Sequence, residues 1–253
     1  MIRAARQLEI MALLRKDGVV STTDLAKRLK ASPVTIRRDI ESMERAGLLI
    51  RTHGGATALP AQQPEPPYYE REREHVEEKS ALAKRAAEYV KDGDSIILNA
   101  GTTMRGLARE LTRYRDLQVV TNGVDVATEL IQSDGVQVIL IGGVLRAKTL
   151  ATVGPLAEES LRDIYVAKAF LGVNGISIEY GISMYSQIEA QINKFLLRSA
   201  QEVTVVVDSS KFDTPSLSRI APITDVHRII TDSKIDPGMK QRLETAGIEI
   251  VVV

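Results

Sequence analysis

The chain has 253 residues, of which 44% are hydrophobic and 26% are charged, and its formal net charge is +0. These values are typical of a globular protein with one large domain or two smaller ones. The absence of cysteine excludes disulfide bonds and thiolate metal sites. No apolar run approaches the roughly 18 residues that cross a bilayer, and the first residues do not resemble a signal peptide. We therefore expect a soluble, cytoplasmic protein.

The charges are distributed unevenly along the chain. Residues 1–60 contain 11 Lys and Arg against 6 Asp and Glu, a net charge of +5, and the remainder carries a net charge of −5. A basic segment attached to an acidic body is typical of a DNA-binding domain joined to a second domain. The overall neutrality therefore does not exclude nucleic acid as a partner.

Three short helices are predicted in the first 45 residues. Residues 3–16 form an amphipathic segment, and Ser21 opens a second helix that carries Leu25 and Leu29. A turn at residues 30–31 precedes the third helix. This spacing is that of a helix-turn-helix motif, whose last helix lies in the major groove of DNA.

The third helix has an apolar side and a polar side. Ser32 is a good N-cap, and Pro33 suits the first helical position. Ile36, Ile40 and Met43 form a stripe that must pack on other helices. The side chains that project away from this stripe are Thr35, Arg37, Arg38 and Arg45. Such hydroxyl and guanidinium groups bind phosphates and guanine edges, and the helix-turn-helix context favours that role over a merely solvated face.

Residues 47–56 predict a strand, a Gly-Gly turn and a returning strand, which together would form a β-wing. Arg51 and His53 lie near its tip, where contact with phosphate is expected. The sequence therefore predicts a winged helix-turn-helix domain over residues 1–59 that binds double-stranded DNA. The predicted DNA-contacting residues are Ser32, Val34, Thr35, Arg37, Arg38, Arg51 and His53.

Two runs in this domain carry a resemblance to a known family. Residues 35–39 read Thr-Ile-Arg-Arg-Asp, and residues 47–56 read Gly-Leu-Leu-Ile-Arg-Thr-His-Gly-Gly-Ala. Both closely resemble the DeoR family of bacterial transcriptional regulators. The resemblance implies a homo-oligomer, a dimer or a tetramer, on repeated or palindromic operator sites. It also implies repression, which is the more common mode in that family.

Four prolines in residues 60–67 interrupt the helical pattern and favour extended backbone. We place a proline-rich linker there and a second domain at 68–253. Residues 68 to about 90 predict one helix. The charged run 70–74 within it predicts a solvated face with i,i+4 pairs, not a binding site.

From residue 95, short apolar runs alternate with helical segments. This alternation predicts an α/β domain with a largely parallel sheet covered on both faces. The predicted strands are 95–98, 118–121, 136–141, 169–173, 203–207, 228–231 and 248–253. The predicted helices between them are 104–111, 124–132, 156–161, 186–200 and 237–246. Ligands of such sheets bind beyond the carboxyl ends of the strands.

Small and polar residues follow several of these strands. Gly101, Thr102 and Thr103 come after the first strand at the start of a helix, where free N–H groups and hydroxyls bind phosphate. Simple helix capping is the alternative explanation for this segment alone. Comparable residues follow the other strands, namely Thr121, Asn122, Gly142, Gly143, Asn174, Gly175 and Lys211. Their convergence on one edge predicts a site for a small polyhydroxylated anion.

The same segments resemble the effector domain of the DeoR family, which is similar in fold to ribose-5-phosphate isomerase. The resemblance implies that Gly101, Thr102 and Thr103 hold a phosphate and that the other strand-end residues complete the pocket. It adds Glu189, whose role is either contact with a ligand hydroxyl or a structural ion pair. Asn99 and Asn174 stand where the family often has Asp, which removes negative charge near the predicted anion.

Two functions from different classes fit these observations. The first is a sequence-specific regulator, by default a repressor, of a sugar-metabolism operon controlled by a phosphorylated sugar. The second is a sugar-phosphate isomerase or deaminase with an accessory DNA-binding domain. We favour the regulator because residues 172–176 lack the acid cluster that such enzymes need for proton transfer. An architectural DNA protein is a weaker third alternative. We expect no catalytic residues, metal or other cofactor.

Overall fold

The computed structural model describes residues 3–17, 19–45, 49–52, 54–58 and 65–253. Contacts within the chain divide it into two compact units, which we call unit 1 (Met1–Glu65) and unit 2 (Pro66–Val253). The division falls inside the predicted linker 60–67, and residues 60–64 lie outside the described residues. The domain bounds therefore stay predictions. In the described part of the chain, no helix is both long and apolar enough to cross a membrane.

Unit 1 consists of three helices and a small antiparallel sheet. Its elements in chain order are α1 (Arg3–Asp17), β1 (Val19–Ser21), α2 (Thr22–Arg28), α3 (Pro33–Arg45), β2 (Leu49–Thr52) and β3 (Gly55–Ala58). The strand order in the sheet is β1-β3-β2. Strands β2 and β3 pair so that Arg51 lies opposite Ala56, which gives the predicted wing.

The core of unit 1 contains the predicted apolar stripe of α3. Ile36, Ile40 and Met43 are at most 2% exposed and pack with residues of α1 and α2. Asp39 lies among them, is only 2% exposed and accepts a hydrogen bond from Arg6 Nε at 2.5 Å. A buried carboxylate requires such a partner because its desolvation is costly. This ion pair between α1 and α3 was not predicted.

Unit 2 alternates strands and helices. Its helices are α4 (Tyr68–Arg73), α5 (Val76–Ala87), α6 (Thr102–Leu111), α7 (Val124–Leu130), α8 (Pro155–Ser160), α9 (Gln187–Arg198) and α10 (Pro237–Thr245). Seven of its strands are β4 (Ser95–Leu98), β5 (Leu117–Thr121), β6 (Val136–Leu140), β9 (Val166–Leu171), β12 (Ala200–Val206), β14 (Arg228–Thr231) and β15 (Glu249–Val252). The remaining five are β7 (Val144–Arg146), β8 (Ala151–Val153), β10 (Gly175–Ser177), β11 (Gly181–Met184) and β13 (Ser218–Ala221).

The first seven strands of unit 2 form one parallel sheet in the order β15-β14-β12-β9-β4-β5-β6. Two separate buried clusters pack against it, one built around α9 and α10 and the other around α5, α6 and α7. The predicted α/β sheet with apolar cover on both faces is therefore confirmed. The chain runs outward in both directions from β4, which pairs with β5 and with β9. Such a switch in direction opens a crevice at the carboxyl ends of the strands.

In unit 2 the structure differs from the sequence expectation in one helix and in five short strands. The single helix predicted over 68 to about 90 is wrong, because α4 and α5 are separated at Glu74 and His75, where His75 adopts a left-handed φ of 51°. Strands β7 and β8 form a hairpin, and β10, β11 and β13 form a separate antiparallel sheet. These five strands have three or four residues each, too few for a recognisable alternation.

Candidate functional site

The exposed side of α3 carries most of the predicted DNA-contacting residues. Ser32 Oγ accepts a hydrogen bond from the Thr35 backbone N–H at 3.1 Å, which confirms the predicted N-cap. The two hydroxyls of Ser32 and Thr35 are 2.8 Å apart. Val34 is exposed, as are Arg37 and Arg38, and neither arginine forms an ion pair with any described residue. Both guanidinium groups are therefore available to phosphates or base edges.

In the part of the wing that the structure describes, the positively charged residue is Arg51. Arg51 Nη1 lies 2.9 Å from Glu41 Oε1 of α3, and both side chains are about 40% exposed. A pair this exposed contributes only about 0–1 kcal/mol, so a phosphate could replace Glu41 at little cost. His53 and the side chain of Arg45 lie outside the described residues. Their predicted roles stay predictions.

A cavity of about 70 Å³ in unit 2 lies where β4 ends and α6 begins. Gly101 is the N-cap of α6, with a φ of 139° that side-chain-bearing residues rarely adopt, and no side chain caps this helix. The first N–H groups of α6 and the hydroxyls of Thr102 and Thr103 therefore form an anion-binding surface. Five predicted effector residues line the cavity, namely Gly101, Thr102, Thr103, Asn174 and Lys211.

Side chains with ionisable groups that were not predicted to bind a ligand also line this cavity. They are Arg71, Glu74, His75, Lys79 and Asp208. Lys79 Nζ donates hydrogen bonds to the carbonyl oxygens of Glu74, at 2.8 Å, and of Arg71. Burial lowers the pKa of Lys79, the carboxylates of Asp208 and Glu74 raise it, and the cations Lys211 and Arg71 lower it. The cavity is therefore lined by charges of both signs.

Three predicted residues lie behind the cavity and do not line it. Asn99 is fully buried, donates to Gly172 O at 2.8 Å and accepts from Gly172 N at 2.8 Å. Asp could not perform both tasks, because a carboxylate only accepts. Asn122 Oδ1 accepts from the backbone N–H of Ala100 at 3.1 Å, and Thr121 Oγ1 accepts from that of Gly123 at 2.9 Å. The bonds of Asn99 and Asn122 position the loop that precedes Gly101, whereas the bond of Thr121 lies in the turn after β5.

Four further predicted residues are also absent from the cavity lining. Gly142 and Gly143 follow β6, and Gly175 lies in β10, where a Cβ would meet Thr214 O at 2.0 Å. Glu189 is 3% exposed and lies 2.6 Å from Arg146 Nη1 of the β7–β8 hairpin. Of its two predicted roles, the structure shows the structural ion pair.

A network of polar side chains connects α4 to α6 and α7. Tyr68 Oη donates to Asp125 Oδ2 at 2.7 Å, and this bond is buried. Arg105, one turn beyond Thr102, donates to Glu72 Oε1 at 2.6 Å and to Glu129 Oε2 at 3.0 Å. Sequence reasoning missed this network, since its members are 24 to 57 residues apart and no local pattern marks them.

Comparison with known proteins places the chain in a family. The profile of the DeoR C-terminal sensor domain matches residues 74–233, and that of the DeoR-like helix-turn-helix domain matches residues 6–62. The chain belongs to the DeoR family. The HTH-type transcriptional regulator YulB of Bacillus subtilis is 36% identical over 253 residues, which are 100% of this chain and 98% of YulB. The lactose phosphotransferase system repressor of Lactococcus lactis is 36% identical over 236 residues, 92% of each chain.

Family membership confirms the predicted class of protein, a DNA-binding transcriptional regulator and not an enzyme. Among solved structures, ribose 5-phosphate isomerase A of Methanocaldococcus jannaschii matches with a TM-score of 0.39 and 20% identity. The match covers 54% of each chain. Unit 2 of this DeoR-family protein contains the matched sensor domain, and unit 1 contains the matched helix-turn-helix domain.

Proposed function

We propose that this DeoR-family protein represses a sugar-metabolism operon in the cytoplasm and that a phosphorylated sugar controls its binding to DNA. The observation that carries the proposal is the cavity at the start of α6, where Gly101, Thr102 and Thr103 meet the cation Lys211. Helix N-terminal N–H groups and lysine are standard partners of phosphate. The name of the Lactococcus relative, a repressor of a sugar phosphotransferase system, is consistent with a sugar-derived effector.

The contacts to DNA are assigned to α3 and the wing. Ser32 and Thr35 at the helix start would hold a phosphate, while Val34, Arg37 and Arg38 face the bases. Arg51 and His53 would contact the flanking backbone. Two copies would bind the two halves of an operator, so we include a homo-oligomer, a dimer or a tetramer, in the proposal.

The effector contacts are divided between direct and indirect ones. Gly101, Thr102, Thr103, Asn174 and Lys211 would touch the ligand, since they line the cavity. The other predicted residues would act by positioning these, and they are Asn99, Thr121, Asn122, Gly142, Gly143, Gly175 and Glu189. Asn174 Oδ1 already accepts from the Tyr185 backbone N–H at 3.2 Å, which leaves its amide N–H groups to face a ligand oxygen.

Titration of DNA with and without effector tests the proposal. The full-length protein selects an operator from a random DNA pool, and a panel of sugar phosphates is screened by the rise in melting temperature. The best ligand should change operator affinity by roughly 5–150-fold. Thr102→Glu should abolish this response without loss of DNA binding, because its carboxylate would occupy the anion site and repel phosphate. Gln241→Glu adds the same charge on exposed α10 and should respond like wild type.

Separate substitutions test the proposed contacts of α3 with DNA. Arg37→Ala and Arg38→Ala should each weaken operator binding, by about 1–3 kcal/mol where the side chain makes a bidentate guanine contact. Arg198→Ala removes an exposed arginine of α9 in unit 2 and should bind DNA like wild type. Unchanged affinity and salt dependence in both α3 variants would refute the assignment of α3. A wild type whose operator affinity no sugar phosphate alters would refute the sensor assignment.

A further inference from the structure

Arg71 has an unusual environment for an arginine. Its Nε and Nη2 atoms are buried and have no hydrogen-bond partner among the residues that the structure describes. These two nitrogens form one edge of the guanidinium group. Their two N–H bonds point in the same direction, which is the geometry that binds two oxygens of one carboxylate or phosphate. Arg71 therefore presents a complete bidentate donor edge that nothing in the described part of the chain uses.

Such an edge is costly to bury without a partner. Buried polar groups are almost always hydrogen-bonded, and the cost of leaving one unpaired is larger when the group is charged. An exception in a folded protein therefore requires an explanation, such as a catalytic role or a bound water or ion. The unpaired edge of Arg71 is thus a reason to look for a ligand beside it.

The edge belongs to a residue that lines the cavity at the start of α6. Arg71 shares this lining with Gly101, Thr102 and Lys211, so the cations and the helix N-terminus border the same space. The backbone of Arg71 is fixed there, because Lys79 Nζ donates to its carbonyl oxygen and to that of Glu74. Lys79 is thereby engaged with the end of α4, whereas Arg71 keeps its donors free.

We propose that Arg71 binds the anionic group of the effector through its Nε and Nη2 edge and that this group is a phosphate monoester. The inference rests on the proposed function and adds a recognition residue to it. A phosphate monoester has three terminal oxygens, so two can accept from Arg71 while the third accepts from the N–H groups of α6. A carboxylate has only two oxygens, so the same two oxygens would have to accept from both partners.

The size of the cavity is consistent with this assignment. Its volume of about 70 Å³ is well below the roughly 300–1,000 Å³ of ordinary small-molecule sites. A phosphate group fits such a space, and the sugar would extend toward the open side. The phosphate would then connect α4 directly to α6, since Arg71 lies on the first helix of unit 2 and Thr102 on the third.

Calorimetric titration of the full-length protein with inorganic phosphate and with acetate tests the proposal. Charge-assisted hydrogen bonds of this kind correspond to roughly 10- to 100-fold in affinity, so Arg71→Met should bind phosphate weaker by that factor. The phosphate affinity of Arg71→Lys should lie between those of wild type and Arg71→Met, because an ammonium group lacks the planar edge. Arg73→Met is the matched control, since Arg73 is exposed on the same helix, and it should bind phosphate like wild type.

The melting temperature without ligand separates ligand recognition from a structural role. Arg71→Met should melt at or above the wild-type temperature, because it removes an unpaired buried charge. Wild-type phosphate affinity in Arg71→Met, or a melting temperature several degrees below wild type, would overturn the role of Arg71. Equal binding of acetate and phosphate by wild type would overturn the ligand class. A wild type that binds neither phosphate nor any sugar phosphate would instead refute the proposed function, and this inference with it.

Discussion

Tyr68→Phe isolates one buried hydrogen bond at the start of unit 2. Tyr68 is 9% exposed and Asp125 is 6% exposed, and the Oη to Oδ2 distance is 2.7 Å. The substitution removes a single oxygen and leaves the ring in place. Asp125 would then lose a donor at a site where water does not replace it easily.

The size of the effect follows from the charge on the acceptor. A hydrogen bond to a charged group contributes about 1.5–3 kcal/mol, and 1 kcal/mol shifts the melting temperature of a domain of this size by about 2–4 °C. We therefore expect Tyr68→Phe to lower the melting temperature of unit 2 by roughly 3–12 °C in calorimetry. Tyr69→Phe is the control, because Tyr69 is the next residue of α4 and is 60% exposed. Equal melting temperatures for the two variants would refute the reasoning.

The loss of stability in Tyr68→Phe should depend on pH in a predictable direction. Burial raises the pKa of Asp125, and the hydrogen bond from Tyr68 opposes that rise. Because this pKa is higher in the folded protein, the Asp125 carboxyl group loses its proton at a lower pH in the unfolded chain than in the folded one. The free energy of unfolding therefore declines as the pH rises above the ordinary Asp value of about 3.9. Loss of the Tyr68 donor raises the pKa further. The difference between Tyr68→Phe and wild type should therefore be small near pH 3.5 and grow toward pH 7, and a constant difference would show that the acceptor is not the ionised carboxylate.

Two more substitutions test contacts that connect helices. Asp39→Asn should weaken folding of unit 1 and DNA binding together, while the melting transition of unit 2 is unchanged, because Arg6 loses its carboxylate partner. Calorimetry and DNA titration check this, and a variant that binds DNA like wild type would contradict it. Glu72→Gln breaks the exposed bridge to Arg105, so stability should change by about 1 kcal/mol or less. The response of DNA affinity to sugar phosphate should nevertheless shrink, and an unchanged response would exclude this bridge from the coupling.

Local sequence signals were sufficient for much of the fold. Strands β4 and β14 begin and end where the apolar runs predict, because a strand buried on both faces is a continuous apolar segment. The start of α3 was also predictable, since Ser32 and Pro33 are themselves the signal. Of the cavity lining, the residues after the ends of β4, β9 and β12 could be anticipated from the position of strand ends alone.

Side-chain contacts between distant residues were not predictable in this way. The run 70–74 was interpreted as a solvated helix face, which is right for its exposed glutamates but wrong for Arg71. The charge pattern of α4 describes the helix and contains no information about what packs beside it. Asp39 shows the same limit, because its partner Arg6 lies 33 residues away. Charged residues that are neighbours in the sequence, such as Arg71 and the exposed glutamates beside it, can thus differ in burial.

We propose that α4 carries the effect of a bound anion toward unit 1. It is the first helix after the predicted linker; its Arg71 lines the proposed effector site, and its Glu72 contacts α6. Glu72 binds Arg105, which lies one helical turn from Thr102. An anion at the start of α6 would therefore act on α4 through Arg71 directly and through Arg105 indirectly. One charged hydrogen bond from Arg71, about 1.5–3 kcal/mol, is of the same size as the coupling free energy of about 1–3 kcal/mol that allosteric regulators use.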